Sequence, residues 1–354
     1  MGGVGEYLKV LHSLMNAKGM RALLTPSNYA TGARLQESAD FLKLYLLTGA
    51  REAWPNPPPI PDIEALPALQ EQRRVVQDRV QLQCMSLISA WHEERPPALP
   101  PESPRTPVDD ERRAQLDAER ASEMVAAQRR AFGFELDVAA SSAGPEAGFG
   151  VFVRGKAPPG SVVAIYPGVT YSPADVLLLP GGTRHFQGNE YLMARFDKCI
   201  LDASSRALEM LPPEARSNPL AVAHNINHPP KGSDPNVMPA PMQFDSTVPA
   251  ELLPLLPNVS YEHSSPRQRQ LLIEGSKGSP RQRDLADIFR ASFAESARAA
   301  EPAKDEPTLK GLAFVTTRAV EDEELFLNYR LNPRNRYPAW YTPYDKEEDA
   351  RRWS

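Results

Sequence analysis

An asparagine and a histidine stand side by side at the end of an apolar segment, in the stretch AVAHNINHPP at residues 221–230. The amide of Asn227 offers both a hydrogen-bond donor and an acceptor. His228 precedes a proline, and a residue in that position avoids the helical region of backbone space. His228 is therefore expected in an extended conformation, and Asn227 and His228 are candidate binding residues.

Three further stretches carry residues suited to a binding site: GFG at 148–150, YPG at 166–168 and ELFLNY at 324–329. Closely spaced glycines let a backbone approach a ligand, although a turn at a strand edge is the simpler interpretation. The GFG stretch does not open a helix, which argues against a dinucleotide-binding fingerprint. The YPG stretch is also explained by a turn with a packed tyrosine. The last stretch predicts a strand that ends in Tyr329.

Taken in order, these stretches resemble the SET domain of protein lysine methyltransferases. That family has a Gly-x-Gly turn, a Tyr-x-Gly strand end, an Asn-His pair ahead of Pro-Asn, and a final Glu-Leu…Tyr strand. A fifth stretch, EYLMARFDKCILDA, is similar to the family's Tyr-Leu-Phe strand and Ile-Asp-Ala. Each motif is common by chance, but five in this order over residues 135–335 form a specific pattern. The stretches NPLAVAHNINH, LPNVSY and GFELDVAASS are most similar to the group called SET domain-containing protein 9. The matching positions outside the fifth stretch are Gly148, Gly150, Tyr166, Gly168, Asn227, His228, Pro235, Asn236, Glu324, Leu325 and Tyr329.

The resemblance implies an α+β chain with a mostly β SET fold of short strands. In that fold the Asn-His segment threads under the segment with the final tyrosine, forming a pseudoknot that brings Asn227 and Tyr329 together. It also implies S-adenosyl-L-methionine as cofactor, with its methionine part held by Asn227 and its adenine against the backbone of His228. The turn at Gly148, Phe149 and Gly150 would pass along the cofactor. Trp340 would either cover the adenine or simply pack.

The implied reaction is methyl transfer to the amine of a lysine in a protein or peptide substrate. A free lysine has a pKa near 10.4, so a narrow apolar channel must favour its neutral form by desolvation. By resemblance, Tyr329 orients the amine with its hydroxyl and Tyr191 forms the second wall of the channel. No metal is required, and the sequence offers no ligand cluster for one.

The chain departs from the family pattern around the Asn-His pair. Pro229-Pro230 replaces the usual Ser-Cys, His224 and Asn225 replace Arg-Phe, and Asn328 replaces an aspartate. These changes leave open a SET-fold binding or scaffold module without turnover, in which the N-terminal helices recruit a protein partner. They also favour a protein other than a histone as the substrate. A serine hydrolase is disfavoured because no Gly-x-Ser-x-Gly elbow is present.

The elements that must position these residues fall into a helical and a β-rich part. Periodic leucines predict a helical N-terminal region over 1–131, with a proline-rich linker at 95–107. Asp109 or Asp110 is expected to cap its last helix, and Gly133 to end it. Short β-branched stretches predict the SET domain over 132–335, interrupted by a flexible insert at 264–307. An aromatic C-terminal tail occupies 336–354.

Composition narrows the function classes. The chain has 354 residues and a formal net charge of -5, which gives no sign of direct nucleic-acid binding. No apolar run reaches the roughly 18 residues of a membrane helix. The two cysteines are far apart, which favours a reducing compartment over a disulfide framework. We therefore expect an intracellular protein of the cytoplasm or nucleus.

Overall fold

The computed structural model describes residues 32–57, 59, 61–62, 65–95, 109–179, 182–244, 248–262, 264, 272 and 309–354. Residues 1–31 of the predicted helical N-terminal region lie outside this part of the chain. So do residues 96–107 of the linker and nearly all of the insert predicted at 264–307.

Long helices form the N-terminal part of the described chain, as the leucine periodicity predicts. They are α1 (Gly32–Glu52), α2 (Leu69–Glu94) and α3 (Asp109–Phe132). Gly133 follows α3 with a φ of 76°, and its N–H donates to the carbonyl of Arg129 at 3.0 Å. Glycine adopts this left-handed conformation without a steric penalty, so it ends the helix where the sequence predicts.

One face of α2 is buried and, beyond Gln72 in its first turn, apolar. Its buried apolar residues recur every three or four positions, which places them on a single stripe of the helix. They are Val76, Val80, Cys84, Ile88 and Trp91. This stripe belongs to the same core cluster as Leu44 and Leu47 of α1 and as Met238 and Met242 from the sheet beneath. The helices therefore pack directly on the β-rich part.

Short strands of the described chain form small sheets with the orders β1-β2-β10, β3-β9-β7 and β5-β6-β4-β8. Pairing is antiparallel except between β4 and β8, which run parallel. The strands are β1 (Phe134–Ala140), β2 (Phe149–Ala157), β3 (Val162–Tyr166), β4 (Gly168–Tyr171), β5 (Leu192–Ala194), β6 (Ile200–Asp202), β7 (Val237–Phe244), β8 (Asn258–Ser260), β9 (Leu309–Thr316) and β10 (Val320–Glu321). Short helices connect them: α4 (Pro173–Leu178), α5 (Ser205–Glu209) and α6 (Pro213–Arg216).

Strand β7 has a sequence, VMPAPMQF, that does not look like a strand because it contains two prolines. It nevertheless pairs with β9 over its whole length, from Val237 opposite Thr316 to Phe244 opposite Leu309. It lies at the edge of its sheet, and a proline is tolerated where the missing N–H faces away from the neighbouring strand.

Two predictions about the C-terminal part need correction. The stretch ELFLNY at 324–329 is not a regular strand; it makes isolated bridges from Glu324, Phe326 and Leu327 to three different partners. The tail at 336–354 is more than a short aromatic segment, since it contains helix α7 (Lys346–Arg352), which packs against α1. The bridges depend on distant parts of the chain, so local patterns do not reveal them.

The chain is α+β, with helices packed against small sheets and an apolar core shared between them. A second core cluster joins β2, β3 and β9 to Ala223, Ile226 and Leu327, so it underlies the Asn-His segment directly. Among the described residues, none of the helices combines the length and the apolar character needed to span a membrane.

We predict that Ile88→Ala destabilises the helices and the sheets together. Ile88 is 0% exposed in the shared core, so truncation leaves a cavity and lowers the free energy of unfolding by about 2 to 5 kcal/mol. Urea unfolding followed by circular dichroism and tryptophan fluorescence should show one transition with a lower midpoint. The matched control is Leu82→Ala on the same helix, where the side chain is 65% exposed and the change is within about 0.5 kcal/mol. A two-step transition in Ile88→Ala would show instead that the helices fold separately.

Candidate functional site

The segment at 324–327 lies between the two ends of one loop. On one side Phe326 forms a parallel bridge with Asn227, and the N–H of Leu327 donates to the carbonyl of Asn227 at 2.8 Å. On the other side Leu327 forms a parallel bridge with Val237. Two stretches far apart in sequence are thereby held against each other by main-chain hydrogen bonds.

The buried side chain of Asn236 holds this segment in place by hydrogen bonds. It is 0% exposed, and its amide nitrogen donates to the carbonyl of Glu324 at 2.7 Å. Its amide oxygen accepts from the N–H of Phe326, also at 2.7 Å. The amide thus satisfies two backbone groups that have no strand partner, which gives Asn236 a structural role.

The GFG turn is shaped by the carboxylate of Glu324. A Cβ at position 150 would overlap a carboxylate oxygen of Glu324, so only glycine leaves room for it. That carboxylate accepts hydrogen bonds from the hydroxyl of Ser141 at 2.6 Å and from the N–H of Ser142 at 2.6 Å. Sequence reasoning missed both serines, because nothing local links them to a residue so far along the chain.

Asn227 connects the loop to the GFG turn. Its amide nitrogen donates to the carbonyl of Phe149 at 2.8 Å. Its amide oxygen accepts no hydrogen bond from any residue in the described part of the chain. Gly148 has a φ of 66°, and a Cβ there would meet nothing within 4 Å, so the backbone beside Asn227 is open. The ring of Phe149 is exposed.

Tyr329 is held by both its backbone and its hydroxyl. Its N–H lies 3.4 Å from Nδ1 of His228, and its hydroxyl donates to the carbonyl of Ile226 at 3.0 Å. The residue as a whole is 37% exposed, but the hydroxyl end is desolvated. Burial, reinforced by the neighbouring Tyr191 phenol, raises the pKa of Tyr329 to about 12. The phenol therefore stays protonated at neutral pH, and its lone pairs remain available as acceptors.

Tyr191 lies beside Tyr329 and is 47% exposed. Its carbonyl accepts from the N–H of Ala203 at 2.9 Å, and its ring meets that of His224 edge-on at 6.2 Å. Burial raises the pKa of Tyr166, and the phenols of Tyr329 and Tyr191 add to that rise. Three tyrosines, from β3, from the approach to β5 and from the end of the 324–329 segment, therefore lie near enough to interact electrostatically. We call Tyr166, Tyr191 and Tyr329 the tyrosine cluster.

The imidazole of His228 links the loop to the C-terminal tail. Its Nε2 lies 2.8 Å from the carbonyl of Thr342, so this nitrogen carries the proton and Nδ1 accepts from Tyr329. Burial lowers the pKa of His228, which keeps the ring neutral. Tyr341 packs against it with ring centroids 4.4 Å apart. The ring is thus fully used in structural contacts.

Trp340 stands at the rim of the same region. Its ring meets Tyr329 edge-on at 6.1 Å and Tyr341 at 5.9 Å, while the residue remains 53% exposed. Both roles considered for it, packing and covering a ligand, are compatible with this placement. Contacts and chain adjacency join most of the predicted site residues into one region: Gly148, Phe149, Gly150, Asn227, His228, Tyr329 and Trp340. Tyr191 interacts with Tyr329 electrostatically.

A buried ionic cluster behind Tyr329 was not predicted. The next residue, Arg330, has a φ of 48° and pairs with Asp40 of α1 and Glu348 of α7. The left-handed conformation costs an arginine about 1 to 2 kcal/mol, so surrounding contacts must hold it. No pattern in the sequence connects these three positions.

No protein-family model, curated protein or solved structure matches this chain. In the described residues, no three or more histidine, cysteine, aspartate or glutamate side chains are grouped so as to hold a metal ion.

We predict that Asn236→Ala lowers the free energy of unfolding by removing the hydrogen bonds that hold the 324–327 segment. The substitution leaves two buried backbone groups without partners, at about 1 to 3 kcal/mol each in the free energy of unfolding. Chemical denaturation measures the loss. Asn335→Ala is the control, because the buried amide nitrogen of Asn335 has no partner among the described residues. Equal stability of the two variants would contradict the role given to Asn236.

Proposed function

We propose that this protein is an S-adenosyl-L-methionine-dependent protein-lysine N-methyltransferase with a SET-type fold. The observation that carries the proposal is that Tyr329 contacts both chain neighbours of Asn227, which are Ile226 and His228. It does so beside the 324–327 segment, which lies between Asn227 and Val237. This arrangement supports the proposal, because the resemblance to SET domains implies a threaded segment at this place. The substrate is a lysine of a protein or peptide, and a non-histone protein fits the altered Asn-His-Pro-Pro segment.

The residues around Asn227 fit the proposed cofactor. The free amide oxygen of Asn227 is an acceptor for the ammonium of the methionine part, and the open backbone at Gly148 leaves room beside it. The exposed rings of Phe149 and Trp340 offer apolar faces to the adenine. When bound, the group supplies a methyl made electrophilic by a sulfonium. Aromatic faces of the tyrosine cluster favour such a positive charge.

The tyrosine cluster prepares the substrate amine. An amine entering between Tyr191, Tyr329 and Tyr166 loses water, and desolvation favours its neutral, nucleophilic form. The hydroxyl of Tyr329 already donates to the carbonyl of Ile226, so it presents lone pairs and accepts an N–H of the amine. Because the pKa of Tyr329 is about 12, the phenol positions the amine and does not act as a base. The rate then derives from positioning and fixed dipoles.

The prolines that replace Ser-Cys do not disturb the contacts described above. Pro229 and Pro230 lack backbone donors, but the hydrogen bonds that hold the 324–327 segment come from Asn227 and from Asn236. Tyr329 is held by His228 and Ile226. The substitution therefore leaves the placement of the phenol intact.

Binding without turnover is the second candidate. It is favoured by the exposed rings of Phe149, Tyr191 and Trp340, since exposed aromatic faces also suit a methylated or free lysine as a ligand. In that case the protein would bind a peptide and transfer no methyl group. Methyl transfer by the wild type separates the two functions.

We predict that Tyr329→Phe abolishes methyl transfer while cofactor binding persists. Loss of a preorganised hydrogen-bonding group lowers kcat by about 100-fold or more, but the cofactor contacts of Asn227 remain. The assay is transfer of a tritiated methyl group from S-adenosyl-L-methionine into a fractionated lysate, with calorimetry for binding. Tyr337→Phe, which removes a hydroxyl elsewhere in the tail, should leave transfer unchanged. Unaltered transfer by Tyr329→Phe would refute the assignment of its hydroxyl.

A further inference from the structure

Both neighbours of Tyr329 in the chain are anchored to the same buried cluster. The guanidinium of Arg330 donates two hydrogen bonds to Asp40, at 2.6 and 2.9 Å, and a short one to Glu348. The side-chain amide of Asn328 donates to the other carboxylate oxygen of Glu348 at 2.8 Å. The carboxylate of Glu348 therefore connects the residue before Tyr329 with the residue after it.

The backbone on either side of Tyr329 is also fixed. The N–H of Arg330 lies 3.2 Å from the amide oxygen of Asn328, and its carbonyl accepts from the indole N–H of Trp353 at 2.7 Å. These contacts hold Arg330 at its φ of 48°, which sends its side chain towards α1 while Tyr329 contacts Ile226. The direction of the phenol thus depends on how the cluster holds its two neighbours.

Glu348 itself is held in place by the N-terminal helix. Gln36 of α1 donates to Glu348 at 3.0 Å and to Asp40 at 3.1 Å, and it accepts from Nε of Arg351 at 3.0 Å. The side chain of Glu348 is 19% exposed, and that of Arg330 is 17% exposed. Because both side chains are largely shielded from water, the loss of one charged partner strongly destabilises the other.

We propose that Glu348 is a positioning residue for Tyr329, acting through Asn328 and Arg330. The inference rests on the proposed methyl transfer, because the phenol matters to the reaction only there. Glu348 touches neither substrate nor cofactor. Helix α7 carries Glu348, and helix α1 holds Glu348 through Gln36. Both helices therefore help to direct the phenol.

A donor–acceptor exchange tests this role with almost no change in shape. Asn328→Asp replaces the donor by a carboxylate that repels Glu348, and Glu348→Gln sets two amide donors against each other. In the double variant the new amide nitrogen at position 348 donates to the new carboxylate at position 328, while the amide oxygen at 348 still accepts from Arg330 and Gln36. The net charge of the cluster also returns to that of the wild type. Both single variants therefore break one contact that the double variant restores.

We expect each single variant to lower kcat about 100-fold, because a small misplacement of a reacting group has an effect of that size. The double variant should recover to within about threefold of the wild type, since the contact is rebuilt. KM for the cofactor should change little in all three. Glu347→Gln is the matched control: Glu347 is the preceding residue on α7, its side chain is 73% exposed, and the variant should behave as the wild type.

A second readout does not depend on activity. The 13Cζ signal of Tyr329 in tyrosine-labelled protein, assigned with Tyr329→Phe, reports the hydrogen bond from its hydroxyl to Ile226. It should move in each single variant and return in the double variant. A signal that stays in place in folded single variants, or a double variant as impaired as the single ones, would overturn the positioning role. If the wild type transfers no methyl group, the proposed function fails, and the movement of this signal alone decides whether Glu348 directs the phenol.

Discussion

The main-chain pairing of the 324–327 segment with both ends of the 227–237 loop is the constraint on which the site depends. The N–H of Leu327 reaches the carbonyl of Asn227, and the amide of Asn236 satisfies backbone groups at Glu324 and Phe326. None of these contacts is local. They rest on the sheets beneath, because Ile226, Val237 and Leu327 belong to the core cluster of those sheets.

Once the segment is in place, the properties of the site follow from simple electrostatics. The hydroxyl of Tyr329 is desolvated and donates a hydrogen bond to the carbonyl of Ile226. The phenol therefore keeps its proton, and its oxygen can accept a further hydrogen bond. His228 is neutral because it is buried, and it ties the tail to the loop. The amide nitrogen of Asn227 holds the GFG turn, and its amide oxygen has no hydrogen-bond partner in the described part of the chain. In the proposed methyl transfer, such a site would contribute the alignment of two reactants.

Local patterns in the sequence predicted those elements that local physics determines. The apolar stripe of α2 and the glycine after α3 are examples, as are the β-branched runs of β2 and β3. Strand β7 was not predicted, because its prolines are tolerated only at a sheet edge and the position of a strand in a sheet is set by tertiary structure. The bridges at 324–327 and the pairing of Arg330 with Asp40 were also not predicted from the sequence, since each joins residues from distant parts of the chain. The order of the motifs named the residues of the candidate site, and their role in binding or catalysis stays a prediction.

The central claim is that Asn227 and the turn beside it bind S-adenosyl-L-methionine. Calorimetric titration of the full-length protein with this cofactor tests that claim most directly, with Asn227→Ala measured in parallel. The account predicts one site of micromolar affinity in the wild type and a marked loss of affinity in Asn227→Ala. An absence of binding by the folded wild type at millimolar cofactor would contradict it.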